Sequence, residues 1–160
     1  MSVDRPSDTE PISAEGLAAL KQELHELETK GRRELAKRIL TARELGDLSE
    51  NAEYHAAKED QAHMETRILL LQERLRAAVV TATTSEGDAF SFGRTAEVVD
   101  EDTGAVNTWT LVGRAEADLT QGKLSLQSPV GQALFERSVG ETVEVATPRG
   151  SRRLRIQRLI

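Results

Sequence analysis

The chain has 160 residues, 38% of them apolar and 30% charged, and its 21 basic and 27 acidic side chains give a formal net charge of −6. It has no cysteine and contains only three Phe, one Trp and one Tyr, which excludes thiol chemistry, a disulfide framework and a large aromatic-lined ligand pocket. No run of about 18 apolar residues is present to span a membrane, and the polar N-terminus is unlike a secretory signal. The negative net charge disfavours broad binding to duplex nucleic acid. We therefore expect a cytoplasmic protein.

The N-terminal half is rich in strong helix formers. Residues 1–12 are polar, and we expect them to form a disordered extension. Ser13 is a good N-cap for a first helix. Leucines then repeat at the 3-4-3 spacing of a coiled-coil seam: Leu17, Leu20, Leu24 and Leu27. The seam continues mostly in four-residue steps, which predicts a stutter with local unwinding: Gly31, Leu35, Ile39 and Ala42.

A second seam keeps the 3-4 alternation throughout: Tyr54, Ala57, Gln61, Met64, Ile68, Leu71, Leu75 and Ala78. The stretch between the two seams is polar, and Gly46 is its natural helix breaker. Two long helices joined by so short a turn must run antiparallel. Residues 13–80 are therefore predicted to form a coiled-coil hairpin with an acidic tip.

Beyond Val80 the sequence has the composition of a β domain. We interpret residues 81–89 as a linker and residues 90–160 as a small antiparallel sheet with one helix. Strand patterns occur in five places: 96–98, 108–112, 124–126, 143–145 and 154–158. Ser128 as N-cap and Pro129 at the first helical position predict the single helix. The predicted fold class is α+β.

Several charged clusters are candidate sites. His55, Glu59 and His63 share one helix face and offer metal-ligand types, although a solvated face is the favoured interpretation. Basic residues cluster within 30–38 and 149–158. Either cluster could contact phosphate or an acidic partner. We favour a solvated helix face for the first cluster and a charged edge strand for the second.

The turn of the hairpin is a stronger candidate. Four carboxylates gather there, and hard cations such as Mg²⁺ are held by carboxylates together with water and phosphate: Glu44, Asp47, Glu50 and Glu53. Such a tip lacks the ligands to bind Mg²⁺ alone, but it can complete a site that another macromolecule supplies in part. Asp47 and Glu50 also fit a capping box, with Asp47 as N-cap of the second helix, and spacing alone favours that alternative.

The string GDLSENAEYHAAKE, residues 46–59, resembles the signature of the GreA-type bacterial transcript cleavage factors, the GreA/GreB family. The resemblance extends over nearly the whole chain, including residues 15–27, 128–134 and 147–150. It implies an N-terminal coiled coil and a C-terminal domain of the FKBP-like fold. We therefore identify the chain as a member of a transcription elongation factor family.

The resemblance also implies a partner and a mechanism. Factors of this family bind RNA polymerase through the C-terminal domain, and the coiled coil enters the secondary channel. By position in the string, Asp47 and Glu50 help to hold the second catalytic Mg²⁺, which they share with polymerase. The factor thereby stimulates cleavage of the 3′ end of the nascent RNA in backtracked complexes, and it is not itself an enzyme. We expect a monomer that does not contact membranes.

The remaining residues of the matched string have implied roles around the tip. Arg43 and Lys58 stand where the family places basic residues, which implies contact with the RNA phosphate or with polymerase. An intramolecular pair, for instance Arg43 with Asp47 on a continuous helix, is the alternative. Asn51 and Tyr54 are expected to support the tip, although simple packing on the first helix is favoured for Tyr54.

Two other functions remain open. A relative with the same fold can occupy the channel and inhibit polymerase without promoting cleavage, but the intact Asp47 and Glu50 argue against this function. An FKBP-like fold also suits a prolyl isomerase or chaperone. The pocket of an isomerase needs aromatic walls, however, and few aromatic residues lie beyond residue 80: Phe90, Phe92, Trp109 and Phe135.

Overall fold

A computed structural model of the protein describes residues 9–48, 50–83 and 86–160. The chain divides into two units. The hairpin unit is Leu17–Ala77, and the sheet unit combines the chain before Leu17 with Ala78–Ile160. Within the described residues, no helix is long and apolar enough to cross a membrane.

The hairpin unit is built from helices that run in opposite directions. Helix α1 (Ala14–Glu26) leads into a π-helical turn (Leu27–Gly31) and then into α2 (Arg32–Arg43), and α3 (Ala52–Ala77) returns alongside. The ion pairs Glu23–Arg67 at 2.8 Å and Arg38–Asp60 at 2.6 Å join positions that approach each other in sequence toward the turn. This pattern confirms the predicted antiparallel hairpin.

The two predicted seams form the interface between these helices. Every seam position is buried or half-buried, and five positions are fully buried: Leu20, Ala42, Ala57, Ile68 and Leu71. Only a narrow strip of each helix is therefore covered, because a two-helix unit has no third element to pack against. The unit is held in addition by ion pairs along the flanks of the seam.

The stutter predicted in the first helix is present as the π-helical turn at Leu27–Gly31. Four-residue steps between apolar positions are longer than the 3.6-residue turn of an α-helix. A π-turn, with its i→i+5 hydrogen bonds, holds more residues per turn and keeps the seam on the face toward α3. A Cβ atom on Gly31 would lie 3.0 Å from Sδ of Met64, so glycine lets α3 approach closely at this point.

A two-stranded parallel sheet lies where the extension and the end of the second helix were predicted. Strand β1 (Glu10–Ile12) pairs with β2 (Ala78–Val80). The prediction of disorder was therefore wrong for residues 10–12, and residues 78–80 are strand rather than helix. Ile12 is almost completely buried, which stabilises the short pairing. Residues 1–8 of the predicted extension and residues 84 and 85 of the predicted linker lie outside the described residues.

The main sheet has five strands: β3 (Thr95–Asp100), β4 (Val106–Val112), β5 (Lys123–Ser125), β6 (Thr142–Thr147) and β7 (Gly150–Leu159). Their order is β5-β4-β3-β7-β6, and three of the four pairings are antiparallel. The pair β4–β5 is parallel, which the antiparallel prediction missed. Two 3₁₀ turns, Arg114–Glu116 and Leu119–Gln121, carry the chain between these two strands.

One face of this sheet is covered by helix α4 (Pro129–Leu134). The Ser128 side chain accepts a hydrogen bond from the backbone N–H of Gly131 at 3.0 Å and Pro129 starts the helix, as predicted. The core is a single apolar cluster: Phe90, Ala96, Val98, Leu111, Leu124, Leu134, Val145, Leu154 and Ile156. A helical hairpin together with a mixed sheet and one helix confirms the α+β fold class.

The first residues of α1, up to Gly16, belong to the sheet unit. Ser13 caps the helix by accepting from the Gly16 N–H at 3.0 Å, which confirms the predicted cap. The Ser13 hydroxyl and backbone N–H also donate to the Glu116 carboxylate, at 2.5 and 3.1 Å. A negative charge at this position is favourable because it lies at the N-terminus of a helix.

Candidate functional site

The tip of the hairpin is a short loop between two sharply ended helices. Helix α2 ends at Arg43, and the Leu45 N–H turns back to donate to the Ala42 carbonyl at 3.2 Å. Gly46 follows with a φ of +122°, a conformation that glycine adopts without strain. The prediction of Gly46 as the helix breaker is therefore confirmed.

Asn51 joins the two ends of this loop. Its Oδ1 accepts from the Tyr54 N–H at 3.0 Å and caps α3, while its Nδ2 donates to the Ala42 carbonyl at 2.5 Å. One side chain thus binds the last turn of α2 and the first turn of α3. Because Asn51 is the cap of a helix that begins at Ala52, the capping-box interpretation of Asp47 and Glu50 is wrong.

The two predicted site acids therefore have no capping role in α3. Both are exposed, as are two further acids of the tip, Glu44 and Glu53. Clustered carboxylates produce a negative potential that attracts cations. Among the described residues, no group of three or more His, Asp or Glu side chains is arranged to hold a metal ion. Asp47 and Glu50 offer the oxygen ligands that Mg²⁺ prefers, but they fit only a site completed by other donors.

Arg43, Tyr54 and Lys58 lie next to the loop. The Arg43 guanidinium lies over the Tyr54 ring, 5.9 Å from its centroid, which is within the range of a cation–π interaction. Helix α2 ends at Arg43, so the continuous helix needed for a helical Arg43–Asp47 pair is not formed. Tyr54 is half-buried, consistent with packing, and the exposed Lys58 donates to Gln61 Oε1 at 3.0 Å.

The two other charged clusters of the hairpin lie on the surfaces of its helices. His55, Glu59 and His63 are exposed on α3, with His63 Nε2 3.6 Å from Glu59 Oε1. In the basic cluster of α2, Arg32 donates to both carboxylate oxygens of Glu65 at 2.9 Å, and this hydrogen bonding lowers the pKa of Glu65 below its ordinary value. That part of the cluster therefore joins α2 to α3.

The C-terminal arginine cluster forms a charge ladder across the sheet. Four arginines of β7 each pair with an acid in or just after β3: Arg152–Asp100, Arg153–Asp102, Arg155–Glu101 and Arg158–Glu97. Asp100 is only 2% exposed. Burial raises its pKa, but hydrogen bonds from the N–H groups of Asp102 and Thr103 and from Arg152 outweigh burial and hold the pKa below its ordinary value. The cluster thus lies on a charged strand, as we favoured, but the prediction of an edge strand was wrong, because β7 lies between β3 and β6.

The dual contact of Asn51 is the feature of the site that the sequence did not reveal. An Asn directly before a run of helix formers is an N-cap signal, and it competed with the Asp47–Glu50 spacing. The donation to Ala42 depends on the opposite helix and has no local signal.

Two family models of transcription elongation factors together match nearly the whole chain. The family model described as "Transcription elongation factor, N-terminal" matches residues 10–80, and that described as "Transcription elongation factor, GreA/GreB, C-term" matches residues 84–159. Transcription elongation factor GreA of Bradyrhizobium sp. (strain BTAi1) is 43% identical over 150 residues, which are 93% of this chain and 95% of that protein. Transcription elongation factor GreA of Methylobacterium nodulans is 46% identical over 143 residues, 89% of this chain and 90% of that protein.

Among solved structures, that of the GreA factor homolog 1 (Gfh1) protein of Thermus thermophilus is 28% identical and covers 95% of this chain and 99% of its own, with a TM-score of 0.44. The family assignment follows from the two family models and from the GreA relatives, which cover nearly the full length. This chain belongs to the GreA/GreB family of transcription elongation factors.

Proposed function

We propose that this protein binds RNA polymerase, inserts its hairpin into the secondary channel and stimulates the polymerase's own cleavage of backtracked RNA at the 3′ end. The observation that carries the proposal is the position of Asp47 and Glu50. Both are exposed in a loop that Asn51 closes between the ends of α2 and α3. Cleavage of this kind rescues arrested complexes.

Asp47 and Glu50 act in this proposal as ligands donated to a site on another macromolecule. Asp47 and Glu50 would hold a second Mg²⁺ together with acids of polymerase, and that ion would supply Lewis-acid stabilisation of the phosphodiester and a more acidic bound water. Among the described residues, no three acidic or histidine side chains are arranged to hold a metal ion together. The free protein is therefore expected to bind Mg²⁺ only weakly. In this proposal the catalytic centre belongs to polymerase, and the factor donates ligands to it.

The closed loop makes this donation effective. A ligand donated in trans loses conformational freedom when it binds, and a loop that is already fixed at both ends loses less. The contacts of Asn51 with Ala42 and Tyr54 fix both ends. Asn51 therefore supports the direction of the two carboxylates.

Arg43 and Lys58 supply positive charge next to the acids. The Tyr54 ring holds the Arg43 guanidinium at the end of α2, so Tyr54 supports the tip through Arg43 as well as by packing. A planar guanidinium suits bidentate contact with an RNA phosphate or with an acidic group of polymerase. Lys58 is exposed one turn further along α3 and contributes a point charge.

The sheet unit provides the main attachment to polymerase in this proposal. The protein works as a monomer in the cytoplasm, where bacterial RNA polymerase acts, and it contacts the RNA 3′ end only within the complex.

The test is RNA cleavage in a stalled, backtracked elongation complex that contains Mg²⁺ and end-labelled RNA. The wild-type protein is expected to release short 3′ fragments. The isosteric changes Asp47→Asn and Glu50→Gln should each lower the cleavage rate at saturating factor by on the order of 100-fold, because each removes a negative ligand of the reacting site. Binding to polymerase should remain.

Glu73→Gln is a matched control, because Glu73 is an exposed acid of α3 that pairs with Arg76 within the same helix. This variant should cleave like the wild type. If the wild type binds polymerase but releases no fragments, the protein is instead a channel-binding inhibitor. If it does not bind polymerase at all, both functions are refuted.

A further inference from the structure

Two exposed leucines lie in the loop at the tip. Leu45 is 70% exposed and Leu48 is 40% exposed, and only Gly46 and Asp47 separate them. Exposed turns are usually formed by glycine, asparagine, aspartate and serine, which adopt turn conformations or bind the backbone. A leucine side chain exposed to this extent gains little from folding.

The contacts that form the turn do not use these side chains. Leu45 contributes its backbone N–H, which donates to the Ala42 carbonyl at 3.2 Å, and any residue except proline can do this. Gly46 supplies the positive φ, and Asn51 joins the two helix ends. The side chain of Leu45 and the exposed part of Leu48 are therefore available for contact with another molecule.

Apolar surface continues from Leu45 onto the helices. An open groove of about 320 Å³ is lined by Leu45, Ala42 and Thr41 together with two acids and two bases: Glu34, Glu53, Lys37 and Arg38. Long charged side chains bury their carbon stems along such surfaces while the charged ends stay in water. The leucine and the groove together can accept an apolar side chain from a partner.

The charges around this surface restrict the partner. Glu44, Asp47, Glu50 and Glu53 are all exposed in the same stretch of chain. A second copy of the protein would bring a second set of these carboxylates close to the first, which is repulsive. An anionic membrane surface would be repelled for the same reason. A protein surface with an apolar contact point and a positive surround is complementary to it.

We propose that Leu45 and Leu48 are the apolar contacts by which the tip binds the wall of the RNA polymerase channel, beside the position where Asp47 and Glu50 meet the catalytic centre. This inference rests on the proposed function, because it takes polymerase as the partner. The leucines contribute affinity at the tip, whereas the carboxylates contribute cleavage.

The test compares full-length variants in two assays. Leu45→Ser/Leu48→Ser removes both apolar contacts, and Leu69→Ser removes a leucine of α3 that is 62% exposed and lies far along the chain from the tip. In the first assay, unlabelled variants displace a dye-labelled wild-type protein from polymerase. In the second assay, variants are titrated into the backtracked complex and RNA cleavage is measured.

The double variant is expected to need a roughly tenfold higher concentration in both assays, because burial of a leucine side chain on binding corresponds to about that factor or more. Its cleavage rate at saturation should stay within about threefold of the wild type, since Asp47 and Glu50 remain. Leu69→Ser should differ from the wild type by less than about twofold. Thermal unfolding of Leu69→Ser should be nearly unchanged, and that of the double variant should fall only slightly, because Leu48 is partly covered.

The inference is overturned if the double variant competes as well as Leu69→Ser. It is also overturned if sedimentation shows that the wild type self-associates and that the double variant does not, since the leucines would then bind a second copy. A wild type that binds without cleaving refutes the proposed cleavage function alone, and the displacement assay still decides the role of the leucines. A wild type that does not bind refutes both.

Discussion

Replacement of Asn51 tests whether one side chain holds both helix ends at the tip. Asn51→Ala removes the cap on α3 and the hydrogen bond to the Ala42 carbonyl. Loss of an N-cap costs about 1 kcal/mol. The Ala42 carbonyl keeps the N–H of Leu45 as a donor, so it is not left unsatisfied, and loss of the Asn51 bond also costs about 1 kcal/mol. The expected total is about 2 kcal/mol.

Asn51→Ser separates the two contributions. Serine is as good an N-cap as asparagine. Its side chain is shorter and has no amide N–H, so it cannot donate to the Ala42 carbonyl as Nδ2 of Asn51 does. The serine variant should therefore lose about 1 kcal/mol, half the loss of the alanine variant. Asn51→Asp keeps an acceptor for the cap but places a carboxylate against a carbonyl oxygen, and it should be no more stable than the serine variant.

Urea unfolding followed by circular dichroism at 222 nm measures these differences, because the helices dominate the signal. The dependence of the unfolding free energy on urea should be the same in all variants if only stability changes. Equal stability of the alanine variant and the wild type would refute the dual contact. Equal loss in the serine and alanine variants would refute the separate role of the cap.

Two further predictions concern the sheet unit. Glu136 has a φ of +61°, in the left-handed region, which costs a non-glycine residue roughly 1 kcal/mol. Glu136→Gly should therefore raise the midpoint of thermal unfolding. A lower midpoint would contradict the presence of backbone strain at Glu136. The pKa of Asp100 is held below its ordinary value, so its contribution to stability is present at neutral pH and is lost as the pH falls from the ordinary value through the lowered one. Arg152→Gln removes one of the groups that lower this pKa, and acid unfolding should move to higher pH; an unchanged acid midpoint would show that the pair does not stabilise the fold.

The parts of the fold that the sequence predicted are those set by local contacts. The seams, the break at Gly46 and the cap at Ser128 depend on residues within one or two turns, and all three are present. The spacing of apolar residues in a helix indicates which face of the helix is covered. Where the spacing departs from the 3-4 pattern, it indicates a change in the number of residues per helical turn. The π-turn is an example of the second kind of information.

The parts that were missed depend on contacts between distant segments. Strand β1 has only three residues. It is a strand because β2, which follows α3 in the chain, lies beside it. Strand β5 is parallel to β4 because two 3₁₀ turns return the chain to the same end of the sheet. Pairing of this kind has no periodicity that a short strand could display.

The charged clusters show the same limit. The sequence placed five arginines between 149 and 158 but did not indicate which charges they meet. Four of them pair with acids in and just after β3, 51 to 61 positions earlier in the chain, and these pairs exist only because β7 lies beside β3. In the candidate site, the position of the acids was predicted from the matched string, whereas the contact between Asn51 and Ala42 required the opposite helix.

The π-turn at Leu27–Gly31 has a consequence for how such a hairpin can change in evolution. A π-turn contains one residue more than the α-turn that it replaces, so it behaves as an insertion that the helix has absorbed. Leu20 before it and Ala42 after it are both buried despite the extra residue. We therefore expect the hairpin to tolerate deletion of one residue within Leu27–Gly31 better than a deletion elsewhere in α1 or α2.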